Sequence, residues 1–227
     1  MKLPYSGYLQ RPSGPILLYY ISDRRQFPGS PDAQKEQLLH KIAECAAAGV
    51  DYIQLREKDL SIRALEELAT AAVKLLPPEG RAKLLINSRS DVTLACGAHG
   101  VHLPANDLPA SEARAILGQC GCIHPVIAVS THSMEELSYA EAHGADLAVF
   151  APVFEKDGRT IGDGLERLQQ ACGKPGRAVP VLALGGITLE NAQPCIAAGA
   201  NGIAAIRIFQ ENDAAKIVAQ LRQLQFL

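Results

Sequence analysis

Ala48-Gly49-Val50-Asp51-Tyr52-Ile53 is the first of four versions of one phrase. The others are Cys96-Gly97-Ala98-His99-Gly100-Val101, His143-Gly144-Ala145-Asp146-Leu147-Ala148 and Ala198-Gly199-Ala200-Asn201-Gly202-Ile203. Each follows a helix-favouring stretch and precedes a short apolar run. A glycine between the two suits the left-handed position that closes a helix, because it has no Cβ to clash there. The apolar run that follows reads as a buried strand. Successive copies lie roughly fifty residues apart, the length of two βα units. Four copies at that spacing predict about eight units, and so a closed (β/α)8 barrel in the α/β class rather than an open sheet.

The rest of the chain fits that frame. Its 227 residues suffice for one barrel with little decoration, read as a single domain over 1–227, and 48% hydrophobic content supports a sizeable core. Strands are expected at 16–22, 52–56, 83–87, 100–103, 126–130, 147–150, 181–184 and 202–206, with helices between them. Pro77-Pro78-Glu79-Gly80 stops the second helix, and Ser133 with Glu136 has capping-box spacing. Residues 1–14 read as an irregular lead-in, and 151–163 as a long loop able to act as a lid. Net charge is −2 with no long run of one sign, which argues against nucleic acid or an anionic membrane as the main partner. The start lacks the apolar core of a signal peptide, and no apolar stretch approaches the roughly twenty residues of a membrane span. Six scattered cysteines without a C-x-x-C pair read as free thiols of a cytoplasmic protein.

In such barrels the chemistry sits at the carboxyl ends of the strands. Those ends deliver Arg56 and Lys58, Asn87 and Ser88, Asp107, Ser130 and His132, and Gly185-Gly186. Arg56 and Lys58 are separated by one residue, so in extended chain they can aim at one phosphate cluster; alternatively they are a solvated strand end. Gly185-Gly186 before a helix is either a phosphate cradle of backbone N–H groups or simply a tight corner. His132, next to the Ser133 cap, is held near the mouth, as a proton carrier or as a loop histidine bonded to backbone. His99 and His102 form only H-x-x-H on a short strand, a poor metal signature, and read as structural.

Taken in order, Gln54-Leu55-Arg56-Glu57-Lys58, Leu84-Leu85-Ile86-Asn87, Gly100-Val101-His102-Leu103, Val129-Ser130-Thr131-His132, Ala151-Pro152-Val153-Phe154 and Leu184-Gly185-Gly186-Ile187 resemble the thiamine phosphate synthase/TenI superfamily. The resemblance implies a thiamine-biosynthesis barrel acting on a thiazole phosphate. In the synthase branch a pyrimidine diphosphate is joined to that thiazole with Mg²⁺ help. Arg56 and Lys58 would bind the diphosphate beside Asn87, Asp107 would hold the metal, Ser130 would contact substrate, and Gly185 and Gly186 would hold the thiazole phosphate. In the TenI-like branch a thiazole tautomer is converted without metal, and His132 would move the proton. A homodimer is compatible with either.

Two departures bear on the choice. The synthase pattern has Asn-Asp after strand three, whereas this chain has Asn87-Ser88, and Mg²⁺ favours carboxylates over a neutral hydroxyl. The Thr-x-Thr-Lys segment after strand six is replaced by Phe154-Glu155-Lys156-Asp157-Gly158-Arg159-Thr160, where Lys156 or Arg159 would have to substitute. Both losses fall on the diphosphate and metal half of the site. The sequence reading therefore leans to the tautomerase, with a divergent synthase and a non-catalytic precursor-binding or regulatory protein as alternatives.

Overall fold

A computed structural model describes residues 14–155, 162–174 and 176–224. Eight parallel strands close into a barrel in sequence order: β1 (Leu17–Ile21), β2 (Tyr52–Leu55), β3 (Lys83–Asn87), β4 (Gly100–Leu103), β5 (Val126–Thr131), β6 (Leu147–Phe150), β7 (Val181–Ala183) and β8 (Gly202–Ala205). Between them run α1 (Pro31–Ala48), α2 (Ile62–Leu75), α3 (Ser90–Cys96), α4 (Ala110–Gln119), α5 (Met134–Ala142), α6 (Gly164–Cys172) and α7 (Leu189–Ala197). After β8 come α8 (Arg207–Gln210) and α9 (Ala214–Arg222). The four-residue α8 and a 3-10 turn at Arg24–Gln26 are additions to the expected elements. The expected lead-in at 1–14 and the central part of loop 151–163 lie largely outside the described residues.

The repeated phrase does more than close helices. Gly49, Gly97, Gly144 and Gly199 all take the left-handed conformation, with φ of 92°, 70°, 74° and 98°. Two residues on, the side chains of Asp51, His99, Asp146 and Asn201 each accept a backbone N–H from the preceding strand. The donors are Leu18 (2.7 Å), Leu84 (3.2 Å), Ile127 (2.6 Å) and Val181 (2.8 Å). The backbone N–H of each acceptor residue donates back to the carbonyl of the same partner at 2.8–3.0 Å. Four two-bond clamps thus tie β1 to β2, β3 to β4, β5 to β6 and β7 to β8 at the amino-terminal rim.

Successive side chains of a strand alternate between the barrel interior and the helix layer. Inside lie Tyr19, Ile21, Leu85, Ala128, Leu147, Val149, Leu182 and Ala204, so the axis is a packed core. Outside, Leu18, Ile53, Leu55, Leu84, Ile86, Val181 and Ile203 meet Leu38, Ile42, Leu65, Leu68 and their neighbours on the helices. The same alternation directs residues 54, 56, 87, 102 and 130 inward at the carboxyl-terminal end.

Candidate active site

The run Arg56-Glu57-Lys58-Asp59 leaves β2 with its charges sorted. Glu57 and Asp59 both hold Arg24, from the turn after β1. Arg24 Nη1 donates to Glu57 Oε2 at 3.0 Å and to Asp59 Oδ1 at 2.7 Å, and Nη2 donates to Asp59 Oδ2 at 2.7 Å. Arg24 and Glu57 are buried, at 6% and 4% exposure. The Arg24 bonds bring the Asp59 carboxyl down to about 2, whereas burial pushes Glu57 up. Ser22 Oγ donates to Glu57 at 2.6 Å and accepts the Arg56 backbone N–H at 2.9 Å, which fixes where Arg56 leaves the strand. Arg56 is half-buried and Lys58 exposed. Neither forms an ion pair among the described residues. Among the described residues these two cations therefore lack a paired carboxylate at one strand end, the arrangement that an anion satisfies.

Beside Arg56, Gln54 Nε2 donates to Asn87 Oδ1 at 2.9 Å and so orients the Asn87 amide. Across the barrel, Tyr19 Oη lies 2.7 Å from His102 Nδ1, and His102 Nε2 lies 2.7 Å from Ser130 Oγ. Tyr19 belongs to β1 and His102 to β4, so this contact crosses the interior. Burial, and then the Arg56 charge, depress the His102 imidazole to about 3, which keeps it neutral. Arg56, Asn87 and Ser130 thus share one mouth with His102 beneath them. His102, expected to be structural, is buried on the axis of the site, between Tyr19 and Ser130.

His132 comes directly after β5, the strand that carries Ser130. Its Nδ1 is 2.8 Å from the Ala151 carbonyl at the end of β6. A carbonyl only accepts, so Nδ1 carries the proton and Nε2 keeps its lone pair in the neutral ring. The carboxylate of Glu136 accepts the His132 backbone N–H at 2.6 Å, one residue earlier than a standard capping box requires, while Ser133 Oγ accepts from Glu136 N at 3.2 Å. The following peptide, Ala151–Pro152, is cis.

The paired glycines are explained first by packing. A Cβ on Gly185 would lie 2.9 Å from Pro152 Cα, and one on Gly186 would lie 1.8 Å from the Glu155 carbonyl oxygen. Both have positive φ, 105° and 58°. Asn191 accepts the Thr188 N–H at 2.8 Å and donates to the Gly186 carbonyl at 2.9 Å, pinning the turn to the start of α7. Tight corner and N–H-bearing cradle are therefore compatible. Around the rim, the Arg56 charge acts on His102, His102 meets Ser130, His132 meets Ala151, and Pro152 packs against Gly185.

Ser88 and Asp107 leave the adjacent ends of β3 and β4. Ser88 adopts φ 58° and accepts from Asn87 Nδ2 at 3.3 Å, and Asp107 Oδ1 accepts the Leu108 N–H at 2.8 Å. Lys156 and Arg159 lie outside the described residues. Two cavities are lined by other residues. One of about 250 Å³ lies between Ile187, Thr188, Arg207 and Asn212, and one of about 370 Å³ lies along α1 beside Phe27, His40 and Lys41. Among the described residues no helix is long and apolar enough to cross a membrane.

Barrel and mouth together define a (β/α)8 protein with cations and hydrogen-bonding groups gathered at the carboxyl ends of its strands. The family model described as thiamine monophosphate synthase matches residues 18–209. The chain is 36% identical over 197 residues to the thiamine-phosphate synthase of Azorhizobium caulinodans, covering 84% of this chain and 85% of that one. It is 39% identical over 183 residues to that of Methanoculleus marisnigri, covering 78% and 82%. Among solved structures it resembles a thiamine phosphate pyrophosphorylase from Pyrococcus furiosus, with a TM-score of 0.74 and 32% identity over 92% of this chain and 95% of that one. The protein belongs to the thiamine monophosphate synthase family.

Proposed function

We propose that the protein is a thiamine phosphate synthase, which revises the lean towards the tautomerase. The relatives carry the name of the coupling enzyme, and the observation that carries the reading is the charge sorting after β2. Glu57 and Asp59 are occupied by Arg24, and Arg56 and Lys58 are left for an anion. In the reaction proposed, the bond between the pyrimidine methylene carbon and the diphosphate oxygen breaks, and diphosphate departs with the electron pair. The thiazole ring nitrogen then bonds to that carbon. Arg56 and Lys58 stabilise the charge that grows on the leaving oxygens, and Asn87 and Ser130 offer it hydrogen bonds. Gly185 and Gly186 would receive the thiazole phosphate on backbone N–H groups, bringing the two reactants together.

Among the described residues no group of three or more His, Cys, Asp or Glu is placed to hold a metal. Mg²⁺ needs no such group where one or two carboxylates act with substrate phosphates. The Asp107 carboxylate with the Ser88 hydroxyl fits the ion in that weaker sense, and the ion would neutralise diphosphate charge. A second reading is kept alive by His132, whose Nδ1 bond to Ala151 leaves Nε2 as a base suited to a thiazole tautomerase.

The test is a coupling assay with both precursors, with and without Mg²⁺. The synthase reading expects thiamine phosphate, abolished by EDTA and by Arg56→Ala. Metal-independent conversion of the thiazole tautomer, lost in His132→Ala, would replace it with the second reading. Binding of thiazole phosphate without either turnover would leave a non-catalytic binder.

A further inference from the structure

We propose that Tyr19 and His102 are positioning residues that fix Ser130 as a hydrogen-bond donor toward the mouth. Tyr19 is fully buried among Ile21, Leu85 and Val149, and its hydroxyl has one partner among the described residues, His102 Nδ1. A buried hydroxyl hydrogen without an acceptor is strongly disfavoured. Tyr19 therefore donates, and Nδ1 accepts. In a neutral imidazole the other nitrogen then carries the hydrogen, so Nε2–H donates to Ser130 Oγ. That uses an acceptor site on Ser130 and frees its own hydrogen to point at a ligand. The opposite polarity would leave the Tyr19 hydrogen orphaned at the closed end of the column.

Asn87 is arranged in the same sense, because Gln54 donates to its carbonyl oxygen and leaves its amide nitrogen as donor, with one hydrogen on Ser88 Oγ and the other for a ligand. Both neutral groups of the mouth then act as donors beside the Arg56 guanidinium. Such a set suits ligand atoms that carry lone pairs and no hydrogen, as the oxygens of a diphosphate do, and it disfavours a protonated amine. No proton is transferred along the column, which sets direction only.

The direct test is the tautomer of His102 in the unmodified protein, read from long-range ¹⁵N–¹H correlations of the imidazole nitrogens. The expected result is protonated Nε2 and bare Nδ1, and protonated Nδ1 would overturn the proposal. The kinetic arm rests on the synthase reading. Tyr19→Phe, which keeps the ring, is expected to lower kcat/KM for the pyrimidine substrate roughly tenfold, the scale of one weakened bond to a charged group. Its effect should vanish in a Ser130→Ala background, and KM for the thiazole should not move. Equal losses in both backgrounds would assign Tyr19 a packing role and refute the column. If the unmodified protein makes no thiamine phosphate, the synthase reading falls and the tautomer still decides this proposal. If Tyr19→Phe fails to fold, the spectrum of the unmodified protein decides it too.

Discussion

The Arg24 guanidinium donates to Glu57 Oε2 at 3.0 Å, while Arg56, the residue just before that carboxylate, has no ion pair among the described residues. Neighbours in sequence thus serve different purposes. Glu57→Ala is expected to destabilise the fold by about 2–4 kcal/mol, because it leaves a buried guanidinium short of a partner and the Ser22 hydroxyl without its acceptor. Arg56→Ala should shift stability by less than about 1 kcal/mol. It should lower kcat/KM of the coupling by roughly a hundredfold or more. Urea unfolding and steady-state kinetics on both variants check this, and the reverse pattern would contradict the charge sorting.

Gly186→Ala places a methyl group where the Glu155 carbonyl lies 1.8 Å away, on a backbone already at φ 58°. A loss of about 2–4 kcal/mol is expected, together with weaker binding of thiazole phosphate, because the loop after β6 must move. Gly49→Ala is the control. A Cβ there meets nothing within 4 Å. Its expected loss is only the left-handed backbone term of about 1–2 kcal/mol. Thermal unfolding with calorimetric titration separates the two.

Ser88 occupies a left-handed conformation that aspartate and asparagine tolerate better. Ser88→Asp restores the carboxylate of the synthase pattern and should lower the Mg²⁺ concentration for half-maximal coupling roughly tenfold, on the scale of one charge-assisted contact. Stability should hold or rise. A Mg²⁺ titration of the initial rate gives the answer, and an unchanged midpoint would remove position 88 from the metal's surroundings.

His102 is neutral in the fold, with its imidazole lowered to about 3 by burial and by Arg56. In the unfolded chain it takes up a proton near pH 6.5. Its contribution to stability is therefore complete above that pH and is lost as pH falls from 6.5 towards 3, by at most about 1.4 kcal/mol per unit. His102→Gln, whose amide can still bridge Tyr19 and Ser130, should flatten that part of the profile. Urea midpoints between pH 7 and pH 4 test it, and parallel profiles for the two proteins would refute it.

The barrel was legible because its signal is periodic: the helix-closing glycines recur and each is followed by a short apolar run. Helix α8 was not, since it is only four residues long and its N-cap residue, Ile206, offers no side-chain bond to announce it. The rim clamps were hidden for another reason. Their positions hold Asp, His, Asp and Asn, which share only an acceptor atom, and each partner is a backbone N–H 15 to 33 residues earlier. At the mouth, Arg56, Asn87 and Ser130 were readable from strand ends. Arg24 was not, because it lies in a loop and its partners come from after the next strand. The role of His102 could have been found by parity, since it stands two residues after Gly100 on an inward-facing register.

The four fastenings at the bottom of the barrel differ in one chemical respect. Protonated aspartic acid keeps a carbonyl oxygen and asparagine never titrates, so three of them retain an acceptor in acid. An imidazolium has none, and His99 holds the Leu84 amide through the very nitrogen that would be taken. Burial, with Lys83 nearby, lowers the pKa of His99 and so delays that event. Of these four fastenings, acid therefore strips the acceptor itself only from the one between β3 and β4, on the strands whose far ends lead to Asn87 and Ser88.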